Sequence, residues 1–191
     1  MILLARHGET DDNREPIRIQ GFRDTPLNEA GRSQARELAR RVEAGHRVDA
    51  LHSSDLSRAR ETAEIVGAHL GVAPRLDPRL REGNRGAWEG RYWYEIEEED
   101  PDGYAAWRRA GSRFRFPDGE SLGEHAARVL GALAEVARCG SGPALVVCHG
   151  GSIRAALCAL DPRGLAAFHE PDIPNVALVP WTAVGATGEA A

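Results

Sequence analysis

Lysine is missing from this chain of 191 residues, so all 24 of its basic side chains are arginines. Its absence excludes Schiff-base chemistry and the phosphate-binding lysine of a P-loop. Any anion must be held by arginine, whose planar guanidinium can grip a phosphate or carboxylate with two hydrogen bonds. The net charge of the chain is −5, whereas nucleic acids and anionic membranes bind proteins with an excess of positive charge. We therefore expect neither as a partner.

Cysteine and long apolar runs are scarce as well. Cys139, Cys148 and Cys158 are odd in number and have no C-x-x-C spacing, which predicts small reduced core residues and not a disulfide framework or a zinc site. The first residues lack the charged segment and apolar stretch of a signal peptide. No run approaches the roughly 18 apolar residues of a membrane span. We expect a cytoplasmic protein.

Apolar patterns alternate between the periods of strands and helices. The predicted strands cover 1–5, 48–51, 73–76, 144–148 and 176–179. The predicted helices begin at Asn28, at the cap 53–55, at the capping box of Ser121 and Glu124, and after 148, the last with Ile153, Ala156, Leu157 and Leu160 facing inward. This alternation predicts an α/β fold, a three-layer α/β/α sandwich with a central, mostly parallel sheet.

We expect one domain over residues 1–191. The segment 83–118, rich in Gly, Pro and Trp, is predicted to form a lid-like excursion over one face, and the tail from 183 to fray. Trp88, Trp93 and Trp107 within the excursion fit either a pocket wall or core packing.

Two of the predicted strands end in a histidine. Arg6 and His7 follow the first strand, and His149 with Gly150 follows the strand 144–148. Because open α/β sheets bind ligands at the carboxyl ends of their strands, one site is predicted to form from both ends of the chain. Arg58, in the first turn of its helix, adds a charge where free amides and the helix dipole also favour anions. Two arginines and two histidines together predict a receptor for a tetrahedral dianion, most naturally phosphate.

Motifs in a fixed order run through the first 155 residues. They are Leu4-Ala5-Arg6-His7-Gly8-Glu9-Thr10 with Asn13, then Gln20-Gly21, Ser53-Ser54-Asp55-Leu56-Ser57-Arg58-Ala59, Leu80-Arg81-Glu82, Gly119-Glu120-Ser121, and Val147-Cys148-His149-Gly150-Gly151 with Arg154. In this order they resemble the histidine phosphatase superfamily, which includes the phosphoglycerate mutases. The resemblance implies the phosphoglycerate mutase-like fold and, within the superfamily, the phosphatase branch.

The resemblance also implies roles for the residues. His7 is the expected nucleophile; it must be neutral, with its other ring nitrogen donating to a backbone carbonyl. Arg6, Arg58 and His149 are expected to bind the equatorial phosphoryl oxygens. Glu82 is expected to protonate the departing oxygen and then deprotonate water. This double role calls for a raised pKa, and the anionic substrate beside Glu82 is expected to provide part of the shift. Further phosphate contacts are expected from Asn13, Gln20, Gly21 and Gly150. Neither a metal nor a cofactor is required, and the partner is a small phosphorylated substrate bound to a monomer or homodimer.

Some neighbouring residues could be mistaken for site residues. Glu89 and Glu9 are the alternatives if Glu82 is not the acid. The other five histidines are predicted to be surface or packing residues: His46, His52, His69, His125 and His169.

The preferred function is a metal-independent phosphomonoesterase that works through a phosphohistidine. A bisphosphoglycerate-dependent phosphoglycerate mutase is the first alternative, although Glu82 and Gly119 are only 37 positions apart, and mutases typically carry a longer insertion there. A metal-dependent hydrolase using His7 and His149 with Asp55 or Glu82 is a second, and a non-catalytic phosphate-binding module a third. Sugar phosphates, phosphoglycerate derivatives and a cobalamin-pathway nucleotide phosphate all stay open as substrates.

Overall fold

Five strands form one sheet in the computed structural model, which describes residues 1–140 and 142–182. They are β1 (Ile2–Arg6), β2 (Ala50–Ser53), β3 (Pro74–Leu76), β4 (Ala144–Cys148) and β5 (Leu178–Trp181). Their spatial order is β3-β2-β4-β1-β5, and all neighbours are parallel except β1 with β5. β1 and β4 therefore lie side by side, and residue Arg6 pairs with Cys148 at their carboxyl ends.

Helices cover both faces of this sheet. The helices are α1 (Glu29–Gly45), α2 (Ser57–Leu70), α3 (Trp93–Glu99), α4 (Pro101–Arg109), α5 (Leu122–Cys139) and α6 (Gly150–Cys158). On one face, α1 and α2 pack on Leu3 and Val147; on the other, α5 and α6 pack on Leu4 and Val146. Successive strand residues point to opposite layers, so burial of both faces explains why β1 and β4 are continuously apolar. The predicted three-layer α/β/α fold is confirmed.

The helix starts agree with the sequence at two of three caps. Asn28 accepts a hydrogen bond from the amide of Gly31, and Ser121 forms the expected capping box with Glu124. The cap predicted at 53–55 is wrong. Helix α2 begins at Ser57, whose amide donates to the Asp24 carboxylate over 2.7 Å, so a residue distant in sequence supplies the acceptor.

Smaller differences concern the ends of elements. The second strand begins two residues later than predicted, and β5 begins at 178 because Val176 has a positive φ of 53°. Leu160 lies beyond the end of α6 and is exposed, as is Cys139, so both predictions of core positions are wrong. Cys148 and Cys158 are buried as expected. The predicted frayed tail from 183 lies outside the described residues.

The segment 83–118 carries α3 and α4 and an aromatic cluster of its own. Trp88, Trp107 and Phe116 are buried in it, while Trp93 and Trp107 also line the pocket beside His7, so core packing alone describes only Trp88. Trp93 is half-buried and stacks on Trp107 with ring centroids 5.8 Å apart. The roles of this segment as a lid and of residues 1–191 as one domain stay predictions. Among the described residues, no helix combines the length and hydropathy needed to cross a bilayer.

Candidate active site

His7 and His149 leave neighbouring parallel strands at the same edge of the sheet. The ring centroids are 5.1 Å apart, and the amide of His7 donates to the carbonyl of Cys148 over 3.0 Å. Both side chains are buried. The structure thus brings together the two histidines that lie 142 positions apart in the chain, as the strand pattern predicts.

His7 is held in the state that a nucleophile needs. Its Nδ1 lies 2.6 Å from the carbonyl oxygen of Gly8, which can only accept, so Nδ1 carries the proton and Nε2 keeps its lone pair. Burial, reinforced by the charges of Arg58 and Arg6, lowers the pKa of His7 well below its usual range. The ring is therefore neutral at physiological pH.

Arg58 is buried and Arg6 is half-buried, and backbone carbonyls anchor both. Arg6 donates from Nη1 to Ile173 over 2.6 Å, and Arg58 donates from its two Nη atoms to Arg23 and Gly21 over 2.9 and 2.8 Å. Burial lowers the pKa of Arg58 to about 10, which leaves it charged at neutral pH. The Nε of each guanidinium is buried and has no hydrogen-bond partner within the described chain.

The two ring nitrogens of His149 differ in their hydrogen bonding. Its Nε2 lies 2.9 Å from the hydroxyl of Ser54. Its Nδ1 is buried without a partner among residues 1–140 and 142–182. Burial and the charge of Arg58 lower the pKa of His149 well below its usual range, so this ring too is neutral.

The loop between β1 and α1 contributes the smaller polar groups. Asn13 accepts a hydrogen bond at Oδ1 from the amide of Thr10, which leaves its Nδ2 as a buried donor with no partner in the described residues. Oε1 of Gln20 is also buried and has no hydrogen-bond partner in the described residues. Gly21 must be glycine, because φ is +54° and a Cβ would lie 2.2 Å from Oε1 of Glu89. Asn13, Gln20, Gly21 and Gly150 all line the same pocket as Arg6 and His7.

Glu82 faces this pocket, and its charge is fully stabilised. Its carboxylate accepts from the amides of Gly83 and Gly151 over 2.8 and 2.9 Å, and Nη2 of Arg85 lies 3.5 Å away. Burial alone would raise the pKa of Glu82, but Arg85, His125 and the two amides outweigh it and lower the pKa to about 2. The unliganded site therefore supplies none of the upward shift that the acid role needs, and the substrate-dependent part of that expectation stays a prediction.

Two residues beside Glu82 are not identified by sequence reasoning. Arg85 is buried, with its guanidinium carbon 4.8 and 4.5 Å from the ring centroids of Trp107 and Phe116. His125 is buried as predicted for a packing residue, yet its Nε2 lies 3.8 Å from Glu82. Burial lowers the pKa of His125 to about 3, so it is neutral and Arg85 alone of these two balances the carboxylate charge. Nothing in their local sequence distinguishes them from other arginines and histidines.

The alternative carboxylates have other tasks. Glu89 accepts from the amides of Phe22 and Arg85 over 2.7 and 2.9 Å, and so ties two loops together. Glu9 accepts from the side chain of Asn28. Asp55, proposed as a metal ligand, is instead paired with Arg81 over 2.7 Å.

A metal centre finds no support in the side-chain arrangement. Within 1–140 and 142–182, no three His, Cys, Asp or Glu side chains come together as a possible metal site. The pocket itself has a volume of about 230 Å³. Its charged lining consists of five arginines and one carboxylate in the described chain: Arg6, Arg18, Arg58, Arg85, Arg154 and Glu82.

Comparison with known proteins adds to this geometry. A model of the histidine phosphatase superfamily (branch 1) matches residues 2–187. A metal-independent phosphoserine phosphatase of Arabidopsis thaliana is 38% identical over 157 residues, which cover 81% of this chain and 66% of that protein. A probable phosphoglycerate mutase of an Enterobacter strain is 41% identical over 155 residues, covering 78% and 69%. The chain thus spans about two thirds of the length of these relatives.

Among solved structures, a mycobacterial glucosyl-3-phosphoglycerate phosphatase in complex with VO3 is similar over most of its length. The two chains superpose with a TM-score of 0.83 at 33% identity, covering 93% of this chain and 88% of that one.

Proposed function

The chain belongs to the histidine phosphatase superfamily, and on that premise we propose that it is a metal-independent phosphoric monoester hydrolase acting through a phosphohistidine on His7. Its substrate is a small phosphorylated metabolite. A phosphatase named as metal-independent among its relatives supports this assignment.

One observation carries the proposal. Among the buried nitrogens without a partner in the described residues, four lie in side chains around His7. Nε of Arg6, Nε of Arg58 and Nδ2 of Asn13 belong to residues that line the pocket, and Nδ1 of His149 belongs to a ring 5.1 Å from that of His7. Buried polar groups without partners are rare and costly in folded proteins. Donors from four separate segments that share this condition are suited to the oxygens of one phosphoryl group.

The first half-reaction transfers the phosphoryl group to the enzyme. The Nε2 lone pair of His7 attacks phosphorus in line, the bond to the leaving oxygen breaks, and Glu82 gives that oxygen a proton. Arg6 and Arg58 stabilise the charge that spreads over the equatorial oxygens. Glu82 must gain its proton when substrate binds. The nearby phosphate dianion raises its pKa by like-charge repulsion, against the effect of Arg85.

The second half-reaction releases phosphate. Glu82 takes a proton from water as the water oxygen attacks phosphorus, the N–P bond breaks, and the electron pair returns to Nε2 of His7. Once phosphate has left, Glu82 releases this proton to solvent, because its pKa in the unliganded site is about 2. Each group ends the cycle as it began.

The nucleophile can be tested directly. Hydrolysis of p-nitrophenyl phosphate is expected to survive EDTA and to be blocked by vanadate, which mimics the five-coordinate transition state. His7→Ala is expected to abolish both turnover and acid-labile ³²P labelling. His69→Ala, which changes an exposed histidine, is the matched control and is expected to keep both. Loss of activity on chelation, or a labelled and active His7→Ala enzyme, would refute the proposal.

The excess of arginines in the pocket supports a leaving group that is itself acidic. Arg6 and Arg58 suffice for the phosphoryl oxygens, and Arg85 is paired with Glu82, whereas Arg154 lines the same pocket and forms no ion pair within the described chain. A carboxylate on the leaving group would meet the charge of Arg154, and the names of the relatives, phosphoserine and phosphoglycerate enzymes, agree with this.

Matched pairs of esters test the acidic leaving group. We expect kcat/KM to be about tenfold higher for phosphoserine than for phosphoethanolamine, which lacks only the carboxylate. This factor corresponds to the loss of one charge-assisted hydrogen bond. Arg154→Gln is expected to reduce the ratio. Equal values for the two esters in the unmodified enzyme would contradict this substrate class.

A mutase is the second candidate, because a relative at 41% identity is named a probable phosphoglycerate mutase. Incubation of 3-phosphoglycerate with bisphosphoglycerate distinguishes the two functions. A mutase accumulates the 2-isomer, whereas the proposed hydrolase releases free phosphate.

A further inference from the structure

A short chain of buried hydrogen bonds runs from the backbone of the β2–α2 loop to the second histidine of the site. The amide of Leu56 donates to the hydroxyl oxygen of Ser54 over 3.3 Å, and that oxygen lies 2.9 Å from Nε2 of His149. The amide of Ser54 donates to the carbonyl of Val147 over 3.0 Å, which fixes the loop to β4. Ser54 and His149 are both completely buried.

The donor count along this chain assigns the proton. A serine hydroxyl has one hydrogen to donate. If Nε2 of His149 carried a proton, Ser54 would receive two donors, and its own hydrogen would have no acceptor among residues 1–140 and 142–182. If Nε2 is the acceptor, each donor in this series of hydrogen bonds, the Leu56 amide and the Ser54 hydroxyl, has one acceptor. The ring is neutral, so its single proton then sits on Nδ1.

We propose that Ser54 is a positioning residue that sets the tautomer of His149, so that Nδ1 presents an N–H to the substrate phosphoryl group. The proposal rests on the proposed function for the identity of the ligand, and on the geometry for the tautomer. The buried Nδ1, which has no partner in the described chain, belongs to a ring whose centroid is 5.1 Å from that of His7.

Whether Nδ1 of His149 attracts or repels a phosphoryl oxygen depends on which ring nitrogen carries the proton. A donor at Nδ1 stabilises a phosphoryl oxygen, whereas a bare lone pair there would repel it. Without the hydroxyl of Ser54, Nε2 loses its donor and can take the proton itself. The same imidazole would then oppose the anion that it is placed to bind.

Nuclear magnetic resonance reads the tautomer of His149 in the unmodified protein. In protein labelled with ¹⁵N in histidine and kept free of phosphate, long-range ¹H–¹⁵N correlations show which ring nitrogen carries the proton. The His149 signals are identified by their loss in His149→Gln. We expect the proton on Nδ1 in the unmodified protein, and a proton on Nε2 would overturn the proposal even if Ser54→Ala does not fold.

Two neighbouring serines provide the variant and its control. Ser54→Ala is expected to move the His149 proton to Nε2, at least in part, and to raise the Kd for inorganic phosphate by about tenfold or more, as for a lost hydrogen bond to a charged group. Ser53→Ala removes an equally buried hydroxyl that donates to the backbone carbonyl of Ser54, and is expected to change neither.

The measurements separate this inference from the proposed function. Calorimetric binding of phosphate and the ring-proton assignment need no turnover, so an inactive His7 would not affect them. A Ser54→Ala protein that keeps the Nδ1 proton and unchanged phosphate binding would refute the positioning role while leaving the phosphatase assignment intact.

Discussion

Glu82 begins the proposed cycle ionised, because Arg85 and the amides of Gly83 and Gly151 stabilise its charge. General acid catalysis needs it protonated, so the substrate dianion must shift its pKa upward on binding. Gly151 contributes in a second way: a Cβ there would lie 2.2 Å from Oε1 of Glu82, so only glycine allows this approach. The charge state of Glu82 is therefore set by two near neighbours in the chain, Gly83 and Arg85, together with Gly151, which lies 69 positions away.

The acid role predicts a dependence on the leaving group. Glu82→Gln is expected to lower kcat/KM by roughly 10²–10⁴ for alkyl phosphates, whose alkoxide leaves poorly, and far less for p-nitrophenyl phosphate. Rates for the two ester types give the comparison. Glu89→Gln is the control, since Glu89 only ties loops together and its loss is expected to affect both esters alike. Equal losses for Glu82→Gln would argue against the acid role.

At the scale of elements, the start of α2 links stability to the site. Asp24 accepts hydrogen bonds from both the amide and the hydroxyl of Ser57 over 2.7 Å, one residue before Arg58. Arg58 in turn holds the carbonyls of Gly21 and Arg23. The loop and the helix thus fix each other, and the arginine between them becomes part of the pocket.

This contact can be tested by substitution. Asp24→Ala is expected to lower the free energy of unfolding by roughly 1 kcal/mol, as for the loss of a helix cap, and to raise KM because Arg58 loses its support. Asp24→Asn keeps an acceptor oxygen and is expected to restore most of both. Urea denaturation and steady-state kinetics provide the values. An Ala variant with unchanged stability and KM would show that the contact contributes nothing.

At the scale of the whole molecule, the buried titratable groups of the site make the free energy of unfolding depend on pH. Burial lowers the pKa of His7, His125 and His149, so the unfolded chain binds more protons than the folded one below about pH 6.5. Stability therefore falls as the pH falls below that value. Glu82 acts in the same direction at lower pH: its folded pKa of about 2 lies below the unfolded value, so its contribution is lost from about pH 4.5 downward.

His125 offers a test of this dependence. Each buried neutral histidine adds up to about 1.4 kcal/mol per pH unit to the slope of the unfolding free energy. His125→Leu is expected to flatten the slope between pH 6 and pH 4 by up to that amount, whatever it does to stability at pH 8. His69→Gln, at an exposed position, is the control. Urea midpoints at each pH measure the slope, and an unchanged slope in His125→Leu would contradict the linkage.

Local patterns in the sequence determined the sheet layers, the two histidines at the ends of β1 and β4, and the use of arginine for any anion. These follow from residues that are neighbours in the chain, where periodicity and strand ends leave a readable signal. Only the tertiary structure decided the state of Glu82, the closeness of Arg85 and His125 to it, and the bond between Ser54 and His149. Such contacts join side chains as many as 95 positions apart, and the burial and charge that set their pKa values exist only once the layers have packed.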